Sequence, residues 1–282
     1  MPVCTAALVT TSCNGCPATD GDLGVAGRDE RSKGRRSRKP QWARYPEGVI
    51  VVIGHPLGRS AELGGGVDGL AGRIAAAAAR GGGDVQLVGT VGDDPAGDEV
   101  VLALAASGVG HAALLRDPSH ATPIVVSDSA DADDAADPVV ESSATETIPP
   151  RVEPSDPALR PTLERADVEL ALSYLTEFAV LVVADPSARS LVAPAAAAAE
   201  YAGASLIVLV EQGADGPDGA TVIEVPGADP DGAFATFVGT LVADLDRERV
   251  PAGGLASTLA GAAARLGWTR PDDAEPESPS SS

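Results

Sequence analysis

Residues 85–97, VQLVGTVGDDPAG, limit what this chain can fold into more than any other stretch. Val85, Leu87 and Val88 read as a buried strand, Gly92, Asp93 and Asp94 as a tight carboxylate-rich turn, and Pro95 as a helix start, where a missing N–H costs no hydrogen bond. Asp93 and Asp94 suit helix capping better than ligand contact, since capping alone explains their spacing. The alternation recurs along the chain. Val49–Ile53 is an unbroken β-branched run, as a strand buried on both faces should be. Strands are predicted at 179–183, Ser205–Val210 and 220–225. Helices are predicted at 70–80, 99–107 (ended by Gly108), 163–175, 193–202, 234–244 and 255–266. Residues 111–115 and 122–127 read as two more strands, placed as an antiparallel pair. Strands alternating with helices predict an α/β fold with a mainly parallel sheet between helices.

Only 3% of residues are aromatic against 44% apolar, so the core must be Ala, Val and Leu in close helix–sheet contact. A net charge of −21 argues against nucleic acid and anionic membrane as main partners. No run is apolar and long enough to span a bilayer, and the first residues lack a basic leader region, so a cytoplasmic protein is expected. Residues 1–47 have no apolar period and turn basic in their second half (Arg28, Arg31, Lys33, Arg35, Arg36, Arg38, Lys39, Arg44), which predicts a disordered tail. The ordered domain is drawn over 48–271, with an acidic, proline-rich excursion at 127–161 and a second loose tail at 272–282. Cys13 and Cys16 have the spacing of half a metal or redox site, but no second pair completes it, so no metal site is assigned. His55, His111 and His120 have no carboxylate or serine at catalytic spacing.

Several blocks resemble the ribokinase-like (PfkB) carbohydrate kinases. Gly64-Gly65-Gly66, Ala75, Gly82, Val85, Leu87, Val88, Gly89, Val91, Gly92, Asp93, Asp94 and Gly97 are similar to that family's first signature. Thr122 falls where the family often has a threonine at the start of a lid strand. Gly213-Ala214-Asp215-Gly216 resembles its nucleotide-side loop, with Glu211 in the threonine place. Residues 227–234, GADPDGAF, resemble a disturbed Gly-Ala-Gly-Asp-Ala-Phe. The likeness runs from about residue 49 to 271 and implies a divergent, shortened member with a reduced small β lid.

The resemblance implies ATP-dependent phosphoryl transfer to a sugar hydroxyl, with ATP and Mg2+ as cofactors and a sugar or nucleoside-like ligand. It places phosphates near Gly213, Gly216, Gly227, Ala228 and Gly232, and substrate near Gly64, Gly65, Arg59 and Arg73. Asp231 is the base only with a one-residue slip, since keeping Phe234 in register puts Gly232 in that place. Lid pairing implies a homodimer, less strongly for so short a lid. Other residues depart from the family. Pro230 has no N–H to give an anion. Arg73 stands where the sugar-binding Asn is expected, and Arg59 roughly where an Asp is. Asn14 is the only Asn, so an Asn-x-x-Glu magnesium motif is absent. One strand–helix unit between Asp185 and Ser205 is missing. Two readings follow, a divergent kinase and a catalytically impaired pseudokinase that binds a ligand or partner. A degraded reading frame is a third.

Overall fold

A computed structural model describes residues 48–127, 151–227, 229 and 231–248. Six strands form one wholly parallel sheet: β1 (Val49–Ile53), β4 (Asp84–Gly92), β5 (Val109–Asp117), β8 (Phe178–Val183), β9 (Ser205–Val210) and β10 (Thr221–Glu224), in the spatial order β10-β9-β8-β1-β4-β5. Helices α1 (Gly69–Arg80), α2 (Pro95–Ala106), α3 (Arg165–Tyr174), α4 (Arg189–Ala202) and α5 (Ala233–Glu248) flank it. This is the ribokinase-like α/β architecture that the sequence predicts.

The unbroken apolar run of β1 works as expected. Ile50 and Val52 face one core layer with Ile74, Ala75 and Ala78 of α1, Val100 and Leu104 of α2, and Val238, Leu241 and Val242 of α5. Val51 and Ile53 face the other, with Val168 and Leu172 of α3 and Leu191, Ala195 and Ala199 of α4. Each such Val, Leu or Ile, fully buried, contributes about 1.5–3 kcal/mol. Small residues set the helix spacing. A Cβ on Gly239 of α5 would lie 2.5 Å from Ala77 Cβ and 2.7 Å from the Ile74 carbonyl oxygen, so only glycine lets α5 sit this close to α1.

A second, four-stranded sheet is built from short pieces: β2 (Leu57–Arg59), β3 (Val67–Asp68), β6 (Ile124–Val126) and β7 (Arg151–Glu153), in the order β3-β2-β6-β7. Gly64, Gly65 and Gly66 make the turn that returns β2 to β3, with the Gly65 N–H on the Ser60 carbonyl and the Arg59 N–H on the Gly66 carbonyl. Two expectations are corrected. The strand at 111–115 belongs to β5 and pairs with β4 in the main sheet, whereas that at 122–127 belongs to β6 and pairs with β2 and β7 in the small one. Within the excursion over 127–161, β7 pairs with β6 and residues 157–159 form an exposed 3-10 turn. Helix α4 also starts before the predicted 193 and carries Pro194 inside it. The tails 1–47 and 272–282, the cysteines, Pro230 and the predicted helix at 255–266 lie outside the described residues.

Candidate functional site

Chain direction around β1 locates the crevice. From β1 the chain passes through α1 to β4 on one side, and from β8 it passes through α4 to β9 on the other. Beyond the carboxyl ends of β1 and β8 the connections part, which is where open parallel sheets place ligands. Two polar clusters gather at this edge.

The first is centred on Asp68, the last residue of β3 and the N-cap of α1. Its Oδ1 accepts from the Gly69 N–H at 2.8 Å and lies 2.5 Å from Arg73 Nε. Its Oδ2 accepts from Arg59 Nε at 2.8 Å and lies 2.8 Å from Arg59 Nη2 in an ion pair. Asp68 is 6% exposed at the side chain, against 33% for Arg59 and 25% for Arg73, so a buried carboxylate joins two partly exposed arginines. Burial alone would raise the Asp68 pKa. The hydrogen bonds from Arg73, Gly69 and Arg59, with the Arg73 charge, outweigh it and hold the carboxyl below its ordinary value.

Arg73 carries this cluster across to the start of α5. Its Nη1 donates to the Asp229 carbonyl oxygen at 3.0 Å. A Cβ on Gly232 would lie 3.2 Å from that same Nη1, and Gly232 turns the chain into α5 with φ +68°, a conformation that favours glycine. The Asp229 carboxylate folds back over the helix start: Oδ1 accepts from the Phe234 N–H at 3.0 Å and Oδ2 from the Ala235 N–H at 3.1 Å. These are the orphan amides of a helix N-terminus, and the chain's own acid is the anion that holds them.

The second cluster joins β1 to β8. His55 Nδ1 lies 3.1 Å from Asp185 Oδ2, across 130 residues of sequence. Asp185 Oδ1 accepts from the Ser187 N–H at 3.0 Å and the Ser187 hydroxyl at 2.7 Å. Burial would raise the Asp185 pKa, but the bonds from His55 and Ser187 hold it low. His55 Nε2 is buried and has no hydrogen-bond partner among the described residues. Asp185 also lines a cavity of about 160 Å³ beyond β8 and β9, with Arg189, Asp215, Gly216 and Pro217.

The residues singled out in sequence are thus divided. Arg59, Arg73 and Gly232 meet through Asp68 and Asp229. Gly213 and Gly216 lie apart, in the turn after β9; the Gly213 N–H donates to Glu224 Oε1 at 3.3 Å, and a Cβ on Gly216 would meet Val222 Cγ2 at 2.2 Å. Gly64 and Gly65 lie in the β2–β3 turn of the small sheet. Asp231 and Gly227 are exposed just before α5, and Ala228 lies outside the described residues. Asp94 caps α2 through the Gly97 N–H at 2.8 Å, as its spacing suggests. The histidines are less isolated than the sequence implies, since Asp185 meets His55 and Asp117 Oδ2 lies 2.7 Å from His120 Nδ1.

Sequence reasoning missed Asp68, Asp229 and Asp185. Only Asp68 carried a usable signal, an acid directly before an Ala-rich helix. Among the described residues no three His, Cys, Asp or Glu side chains gather in a way that could hold a metal ion. None of their helices is long and apolar enough to cross a membrane.

No family model matches the sequence, and no curated protein matches it. Solved structures do match by shape. A PfkB protein from Polaromonas sp. JS666 superposes with a TM-score of 0.53 at 15% identity, covering 79% of this chain and 97% of that one. Aminoimidazole riboside kinase from Salmonella enterica, complexed with aminoimidazole riboside and an ATP analogue, superposes with a TM-score of 0.52 at 15% identity, covering 77% of this chain and 92% of that one. At such low identity the likeness speaks for architecture alone, and it identifies the fold of this chain as ribokinase-like.

Proposed function

We propose that this chain is a ribokinase-like pseudokinase, a protein that keeps the kinase scaffold to bind a small ligand in the crevice beside β1 and does not transfer phosphate. One observation carries this reading: the Asp229 carboxylate occupies the Phe234 and Ala235 amides. Those amides, at the N-terminus of α5, closely follow Gly232, one of the positions near which the sequence resemblance would seat a nucleotide phosphate. A phosphate arriving there must displace a carboxylate already bound and would meet its charge. As they stand, the residues present do not fit the phosphates of Mg-ATP at this point, and no step through that cofactor is derived. Gly227, Gly213 and Gly216 keep scaffold roles on this reading, while Arg59 and Arg73 contact the ligand.

The test is Mg-ATP titration of the full chain, read by melting temperature and by transfer of the γ-phosphoryl group to a sugar panel. No nucleotide-dependent rise in melting temperature and no transfer are expected. Asp229→Ala, which uncovers the two amides, should lower stability by about 1 kcal/mol as a lost helix cap. Turnover on any sugar overturns the reading.

A second reading, a PfkB-type carbohydrate kinase, is favoured by one feature. Asp231 is exposed beside α5 with no partner among the described residues, as a base awaiting a hydroxyl would be. Transfer that disappears in Asp231→Ala would establish it.

A further inference from the structure

The Arg59–Asp68–Arg73 cluster has more donors than its own acceptors can use. Two guanidiniums present about ten N–H groups, while one carboxylate offers about four lone-pair sites. One of those sites already takes the Gly69 N–H. Among the described residues, the partners of Arg59 and Arg73 are Asp68 and, for Arg73, the Asp229 carbonyl oxygen. The charges are unequal as well, with two cations on one anion. The Asp229 carboxylate is turned onto the amides of α5, and Asp229 gives Arg73 only its carbonyl.

The surplus is accessible and held in place. Both arginines are partly exposed, while Asp68 beneath them is buried and fixed by the start of α1. A planar guanidinium anchored through Nε keeps a rigid fork for a second acceptor, which a lysine would not. Asp68 therefore orients the two arginines and leaves one positive charge unspent, in a chain whose net charge is −21. An unspent cation beside a crevice attracts an oxyanion locally, against the repulsion that the chain's net negative charge exerts on one.

We propose that Arg59 and Arg73, positioned by Asp68, form a binding site for the oxyanion of a small molecule, a phosphate or phosphate ester. This rests on the ligand-binding reading above and names the chemical class of its ligand. Asp68 acts as an internal counter-ion that sets the affinity.

The test uses the full chain titrated with inorganic phosphate, ribose 5-phosphate and ribose, followed by calorimetry and by amide chemical shifts at several salt concentrations. Phosphate and ribose 5-phosphate should bind, more weakly as salt rises, and ribose should not. Binding of inorganic phosphate as tight as that of the ester would assign the site to the free anion, a weaker ester to steric exclusion of the sugar; both support an oxyanion site. Arg59→Gln should weaken binding roughly tenfold or more, and Arg59→Lys, which keeps the charge and guards against a folding artefact, should weaken it less. Asp68→Asn, which keeps a good helix cap while removing the counter-charge, should tighten binding at least threefold on the order expected for one unit of local charge. Binding of ribose alone would overturn the oxyanion assignment and leave the ligand-binding reading standing. Binding of none of the three, or an unchanged affinity in Asp68→Asn, would overturn it too. Phosphoryl transfer from Mg-ATP would instead overturn the pseudokinase reading and leave the oxyanion titration as measured.

Discussion

One carboxylate at position 68 caps a helix and ties down two arginines, so its removal should be felt in several places at once. Asp68→Ala loses the cap on Gly69 and leaves two guanidiniums without their shared anion. Because the arginines reach solvent, the expected loss is about 2–4 kcal/mol, at the low end for a broken buried pair, and denaturant unfolding checks it. The pH dependence follows from the same groups. Asp68, Asp94 and Asp185 all have folded pKa values held below the ordinary carboxylate value. A depressed folded pKa means the unfolded chain binds the proton first as pH falls. Their stabilisation is therefore whole above an unfolded pKa of about 3.9 and fades below it, so unfolding free energy should fall steeply from roughly pH 4 downward. A flat profile from pH 5 to pH 3 in denaturant titration would contradict this. Beyond the helix-cap positions of Asp68 and Asp94, none of these partnerships could be read in the sequence. The spacings from 59 to 68 to 73 become a cluster only when a hairpin and a helix start converge, and His55 meets Asp185 only because β1 and β8 are neighbours. Residue chemistry was legible one side chain at a time; the pairing of side chains was a property of topology.

Between elements, the informative contacts are made by small residues and one threonine. Gly239→Ala should destabilise by about 1–3 kcal/mol, because the added methyl meets the Ile74 carbonyl and Ala77 and neither is a flexible side-chain tip. Thermal unfolding checks it, and Ala77→Gly in the same chain should restore little, since the backbone contact remains. Thr122 clamps the small sheet to the main one. Its Oγ1 accepts from the Gly92 N–H at 2.8 Å and donates to Asp94 Oδ1 at 2.7 Å, while its N–H donates to Asp94 Oδ2 at 2.8 Å. Thr122→Val strands the buried Gly92 amide and should cost about 1–3 kcal/mol. The loss should also speed amide exchange in β6 relative to β9. The main-sheet strands were the legible elements, because a run such as SLIVLV allows few other fates. Short strands hid. Three residues, Arg151–Glu153, give no periodicity, and their proline-rich surroundings point the other way until β6 supplies a partner.

For the molecule as a whole, strand order decides where ligands can act, and that order was only half legible. Alternating strands and helices implied a parallel sheet, yet the splitting of connections to either side of β1 and β8 emerges only in the folded chain. The sequence resemblance pointed to the correct fold through glycines and turn acids, which report backbone shape. It said less about the site, because there the side chains depart from the pattern. The self-capped start of α5 has a wider consequence. A protein whose phosphate seat is left open must wait for a visitor before that end of the molecule is fully settled. On the pseudokinase reading proposed above, this one carries its own substitute, so it should melt at the same temperature in a nucleotide-starved solution as in a replete one, and its persistence should owe nothing to the supply of energy carriers around it.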